Sequence, residues 1–340
     1  MLSYFRPWRD AWAESSYGPA GHWRSAWPSD HFRTAATTTT VLSELLLAEL
    51  SGRPQIGTVI ELGAGDGTLL GQIGRCRPDL RLFGVDIRQR PAALPSAVTW
   101  YQDCWDVRTD CWTSGQAARA FQLRDHSIQD LERLGDAAQA SAPLEGPTLL
   151  VAVEWLDDLP MVIARRDPLL RQLETDDTGD ERLGLPVVGA DRDWAQHWWP
   201  HGSRVEIGLS RDRAWADAVG RLQPRGGIAV VVDYGHDLAH RPVEGSLTGY
   251  AFGRQRPPVP DASMNLTAHV AVDAVRAAGE RAGAVTVRQA RLSELVSQLP
   301  PTHDTDPLAD LSRRSHRAAA ASPTAWGAVH WLCQEVRARP

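Results

Sequence analysis

Glu61-Leu62-Gly63-Ala64-Gly65-Asp66-Gly67 decides the fold of this chain. It closes the apolar run Thr58-Val59-Ile60-Glu61-Leu62, the pattern of a strand buried on both faces of a parallel sheet. The glycines mark a sharp passage from strand to helix, with bare main chain where a ligand can approach. A dinucleotide loop would place its third glycine at position 68 to seat a pyrophosphate, and Thr68 stands there. With Glu61 two positions ahead of Gly63, the spacing suits a ligand that has an ammonium and a ribose but no phosphate. An ordinary tight turn between strand and helix is the plainer alternative.

Outward from this loop, apolar residues at three- and four-residue steps predict a helix over residues 39–50. Short apolar runs at 80–86, 97–101, 147–153, 228–233 and 284–288 read as further strands, with helical or polar stretches between them. Residues 267–282 read as one helix, and 328–333 as a last strand returning antiparallel at the sheet edge. The expected architecture is α/β and Rossmann-like: a mostly parallel seven-stranded sheet with helices on both faces. Residues 1–52 form an N-terminal Trp-rich arm and helix, and residues 53–340 the sheet domain, with insertions at about 105–145 and 165–204. Such insertions carry substrate contacts or stay mobile. Residues 300–321, rich in Pro, Ser, Thr, Ala and Arg, read as a poorly ordered excursion. Trp8, Trp12, Trp23 and Trp27 of the arm are expected to cover a core rather than clamp a cationic peptide.

Composition narrows the chemistry. The 340 residues contain no lysine, so all 36 basic side chains other than histidine are arginine. This excludes the Walker lysine, the kinase phosphate clamp and the pyridoxal Schiff base. The net charge of −6 argues against a large nonspecific nucleic-acid surface. Cys76, Cys104, Cys111 and Cys333 lack paired CxxC spacing, so neither a metal site nor a disulfide framework is expected. No apolar run approaches the ~20 residues that span a bilayer, and the start of the chain lacks a secretory pattern. A cytoplasmic protein without a membrane partner is expected.

Asp86 ends the second strand, where an acidic side chain bonds ribose hydroxyls. Asp103 and Cys104 end the third, where Asp103 either accepts from an adenine amine or caps the next segment. At the end of the fourth strand comes Glu154-Trp155-Leu156-Asp157-Asp158-Leu159-Pro160. A helix beginning there would set Glu154 and Asp157 on one face, able to orient a guanidinium, with Asp158 favoured only by the helix dipole. His236 and His269 are candidate proton acceptors or substrate contacts, or else packing histidines at element ends.

Together with Asp233-Tyr234-Gly235-His236, Gly245-Ser246-Leu247-Thr248-Gly249-Tyr250 and Asn265-Leu266-Thr267-Ala268-His269-Val270, these stretches stand in the order seen in the MidA-type methyltransferases, which the chain resembles. Asp30-His31-Phe32-Arg33-Thr34-Ala35 resembles that family's approach to the donor, so the likeness runs from about residue 30 to the last strand. That family includes a mitochondrial complex I assembly factor that methylates arginine. The resemblance implies a class I methyltransferase fold, S-adenosyl-L-methionine as cofactor, and a protein side chain such as arginine as acceptor. The expected donor site is Glu61, Gly63, Ala64, Gly65, Gly67, Asp86, Ile87, Asp103, Cys104 and Glu154, with Glu154, Asp157 and His269 as the expected catalytic residues. The chain departs from the family at Val153, where Asn is usual, at Asn265, where Asp is common, and at Thr37, where Glu is common. Two other functions compete: a non-catalytic assembly factor that keeps the cofactor as a structural ligand and binds a partner protein, and a nicotinamide-dependent oxidoreductase.

Overall fold

The computed structural model describes residues 4–25, 39–117, 146–301, 306–323 and 325–339. Seven strands form the central sheet: β1 (Thr58–Leu62), β2 (Arg81–Asp86), β3 (Val98–Gln102), β4 (Thr148–Val153), β5 (Gly227–Asp233), β6 (Ala284–Arg291) and β7 (His330–Val336). Their order is β6-β7-β5-β4-β1-β2-β3. β1 to β5 run parallel, while β7 is antiparallel to both β5 and β6. The last strand was expected at the sheet edge; it lies one place inside, and β6 is the edge. The burial of each strand gives the reason. Trp331, Leu332 and Cys333 are buried on both faces, whereas half of β6 is exposed, Ala284 alone in it is buried, and it carries the polar residues an edge tolerates.

Successive strand residues point to opposite faces, so each strand feeds two cores. On one face Val59, Leu149, Val151 and Val230 pack under α2 (Val41–Ser51) and α3 (Thr68–Cys76), and on the other Ile60, Leu150, Ala229 and Val231 pack under α4 (Leu209–Gly220) and α5 (Val272–Arg281). The chain moves from β1 out to β2 and β3, then returns to β4 on the other side of β1. That reversal opens a crevice beyond the carboxyl ends of the strands.

Two other segments differ from expectation. Residues 267–282 are not one helix: Asn265–Thr267 is a strand, and α5 begins only at Val272. The intervening main chain bonds elsewhere, Ala268 N–H to Asp157 O and Val270 N–H to Tyr234 O, which leaves no helical ladder there. Residues 307–321, expected to be poorly ordered, form the helix Pro307–Ala321. Asp306 caps it by accepting the Leu308 N–H at 3.0 Å, Pro307 stands in its first turn, and Arg317 ties it to Glu44 of α2 at 2.7 Å.

The insertion at 165–204 is a folded platform. Val162–Asp167, Leu169–Thr175, Glu181–Pro186 and Arg204–Ile207 pair as an antiparallel sheet, which Arg6–Pro7 of the arm joins. Trp8 and Trp12 of α1 (Trp8–Tyr17) are fully buried against it with Met161, Ile163 and Leu173, so these two tryptophans cover a core. Of the other insertion, Trp105–Asp106 and Cys111–Trp112 form a two-stranded ribbon; residues 118–145 lie outside the described residues. So do Trp27, Thr37 and the stretch from Asp30 to Ala35.

Candidate functional site

A cleft of about 440 Å³ opens beyond the carboxyl ends of the parallel strands. Glu61, Gly63, Ala64, Gly65, Asp86, Ile87, Asp103, Cys104, Glu154, Asp157 and His269 all line it. Gly67 does not. It sits at the start of α3 with φ +74°, and a Cβ there would meet Leu94 Cδ1 at 2.3 Å, so its glycine serves the turn and its packing. No residue of the 165–204 insertion lines the cleft.

The loop after β1 commits several of its amides within the protein. Gly65 N–H donates to Asp86 Oδ2 at 2.8 Å, Gly67 N–H to Ala64 O at 2.8 Å, and Thr68 N–H to Asp66 Oδ1 at 2.9 Å. Gly63 has φ +65°, and a Cβ there would stand 2.6 Å from Trp155 Cδ1. Glu61 is buried at the floor, and its Oε2 has no hydrogen-bond partner. Burial, with Asp66 and Asp86 nearby, holds its carboxyl well above the usual range. Asp103 resolves as a cap: Oδ1 accepts from Cys104 N–H, Thr113 Oγ1 and Ser114 N–H, each at 2.9 Å, and Oδ2 from Ala117 N–H at 2.8 Å. Asp103 thus shapes the wall of the cleft, its Oδ1 committed to the following loop and its Oδ2 holding one donor.

Beyond β4 no helix begins; residues 154–160 form an irregular turn. Glu154 takes a left-handed φ of +46°, uncommon for a side-chain-bearing residue, while its N–H donates to Val232 O at 2.8 Å. The turn rests on two buried groups. Asp233 Oδ2 accepts the N–H of Leu156 at 3.0 Å and of Asp157 at 3.3 Å. The Arg211 guanidinium donates to Asp157 O at 2.5 Å, Leu159 O at 2.9 Å and Ala268 O at 2.7 Å. Asp157 Oδ2 accepts from Thr267 Oγ1 at 2.9 Å, and Asp158 Oδ1 from Asn265 Nδ2 at 3.1 Å. Asp157 Oδ1 and Asp233 Oδ1 are buried without a partner. Burial raises all three carboxyls, Asp158 and Asp233 well above the usual range, while Arg211 and Thr267 offset part of the effect on Asp157.

His269 faces the cleft, its ring stacked on Tyr234 at 6.1 Å and its main-chain N–H donating to Ser246 Oγ at 2.8 Å. His236 lies outside: it is buried, bonded through Nδ1 to Arg241 at 2.9 Å and edge-on to Trp199. Burial and Arg241 depress it to about 3, so it packs as a neutral imidazole. The sequence reading passed over Arg88 and the aromatic wall. Trp112 stacks on Trp155 at 5.9 Å, Trp105 meets Trp112 edge-on at 5.6 Å, and Tyr17 and Trp23 reach in from the arm. Only the richness in tryptophan signalled that wall, because its members are scattered along the chain.

No protein-family profile and no curated protein matches the sequence. Among solved structures, the chain is similar to a COG1565 superfamily member from Burkholderia thailandensis bound to S-adenosyl-homocysteine, with TM-score 0.69 and 16% identity, over 97% of this chain and 87% of that one. It is equally similar to an uncharacterized COG1565 superfamily protein from the same organism, with TM-score 0.68 and 16% identity over the same shares. The chain therefore has the class I methyltransferase fold, in the form taken by these COG1565 structures.

Proposed function

We propose that the chain is an S-adenosylmethionine-dependent methyltransferase acting by direct displacement on a protein side chain, with arginine the acceptor the MidA-type resemblance implies. The observation that carries the reading is the buried, unpartnered Glu61 Oε2 beneath a loop whose Gly65 and Thr68 amides are already taken. An ammonium is the ligand group such an oxygen lacks, and its charge would draw the Glu61 carboxyl back to the ionised form. A diphosphate would find the Gly65 and Thr68 amides turned to the carboxylates of Asp86 and Asp66. That counts against a nicotinamide cofactor. The S-adenosyl-homocysteine held by the Burkholderia structure supports the same choice.

The residues present fit this donor: Glu61 for its ammonium, Gly63 and Ala64 for close approach, Asp86 for its ribose, and Ile87 beside Asp86 on the cleft wall. When bound, S-adenosylmethionine supplies an electrophilic methyl. The chain's part is alignment, because displacement needs the acceptor's lone pair held in line with the breaking bond. Glu154 and Asp157 receive the acceptor, and an arriving guanidinium would relieve the buried, unpaired Asp157 Oδ1. His269, stacked on Tyr234 in the cleft wall, takes the proton that leaves the methylated nitrogen.

Incubation with radiolabelled donor and cell extract tests this. The expected result is a labelled protein band that Glu154→Ala abolishes. Donor binding with no labelled band would favour the assembly-factor role, in which the chain holds the cofactor and binds a partner protein without turnover.

A further inference from the structure

We infer that Arg88 sets the affinity for the donor by competing with the ribose diol for the Asp86 carboxylate, an inference that rests on the donor reading above. A carboxylate offers about four acceptor positions. In this cleft four donors already occupy Asp86. Oδ1 takes the main-chain N–H of Arg88 at 2.9 Å and its Nε at 2.8 Å. Oδ2 takes Gly65 N–H at 2.8 Å and Arg88 Nη2 at 3.1 Å. Two of these donors are main chain and cannot withdraw without rebuilding the glycine loop or the end of β2. The other two belong to one side chain, and a vicinal diol brings two hydroxyls.

Donor binding through Asp86 therefore exchanges a bidentate guanidinium for a diol, two bonds in which both partners are charged for two in which only the carboxylate is. Arg88 and Asp86 are both buried, which keeps their attraction from being screened by solvent. Arg88 itself lines the cleft, and its guanidinium carbon lies 5.5 Å over the ring of Trp23. The arm thus packs on the side chain that must move, which ties donor affinity to the seating of His22–Ser25.

The test is calorimetric titration of the full chain with S-adenosyl-homocysteine. Arg88→Met keeps the stem under Trp23 and removes the competing donors; it should tighten binding roughly tenfold, about 1.4 kcal/mol. Arg88→Gln, which keeps polar reach, should tighten it less, and serves alone if the Met variant fails to fold by thermal melting. In an Asp86→Asn background the gain from either variant should vanish, because the coupling runs through that carboxylate. Binding weakened or unchanged by both Arg88 variants overturns the inference, as does a gain that survives Asp86→Asn. Wild-type chain that gives no heat overturns the donor reading and this inference together. That outcome is distinct from wild-type binding that ignores Arg88.

Discussion

The two ends of the cleft are built by different means. At the donor end, hydrogen bonds within residues 61–88 shape the loop and fill the Asp86 carboxylate, while Glu61 Oε2 stays bare on the cleft floor. At the acceptor end, the turn after β4 hangs on Arg211 and Asp233 from distant segments, and buried oxygens of Asp157 and Asp233 go unpaired. The first end is nearly satisfied by its own chain. The second holds desolvated acid that an incoming cation would relieve, which suits a site built for a positively charged acceptor.

Arg211→Met is the largest break one substitution can make in this contrast. It strands the buried carbonyls of Leu159 and Ala268, leaves Asp157 O with the Ala268 N–H alone, and removes the guanidinium that offsets the burial of Asp157. A loss of about 3–5 kcal/mol in urea unfolding is expected. If the variant still folds, S-adenosyl-homocysteine should bind nearly as before while labelling is lost. Equal loss of both functions would show that the two ends are one unit.

Asp212, on α4 and outside the cleft, asks whether buried acid strains the fold equally elsewhere. Its Oδ2 accepts from Trp194 Nε1 at 2.7 Å, its Oδ1 has no partner, and burial pushes the carboxyl up to about 7 from an ordinary 3.8. A carboxyl raised by folding stabilises the native state below its unfolded pKa, and that contribution is lost as the pH climbs from about 4 through 7. Asp212→Asn should therefore flatten stability between pH 5 and pH 8 and gain on the order of 3 kcal/mol at pH 8. An unchanged slope in urea titrations would assign the pH dependence to the acceptor end instead.

Gly63→Ala probes the donor end. A Cβ at φ +65° is strained, and it would press on Trp155, which stacks on Trp112. About 2 kcal/mol of lost stability is expected, with weaker S-adenosyl-homocysteine binding by calorimetry. Unaltered binding would mean that the loop can yield without moving the wall.

The same contrast explains what the sequence disclosed. The parallel strands and the glycine loop were legible because burial of the inner strands on both faces and a missing Cβ leave local marks. Glu61 and Asp86 followed from their place in that pattern. Arg211 left no such mark: an arginine in an amphipathic helix reads as solvated, and only tertiary packing brings its guanidinium to the carbonyls of Asp157, Leu159 and Ala268. The same packing unwound residues 267–271 from their expected helix. Asp103 was open to two readings because a cap and an adenine contact share one residue type at one strand end.

The smallest expected effect bears most directly on the acceptor end. Glu154 holds φ +46°, a conformation that costs a residue with a Cβ roughly 1–2 kcal/mol and costs glycine almost nothing. Glu154→Gly relieves that strain but adds freedom to the unfolded chain, so a net gain of about 0.5–1 kcal/mol in urea unfolding is expected. Labelling should disappear at the same time. Higher stability with lost turnover would mean that the backbone is strained in order to aim the carboxylate into the cleft. If Glu154→Gly proves less stable, the side chain holds its own turn together, and the orienting role passes to Asp157.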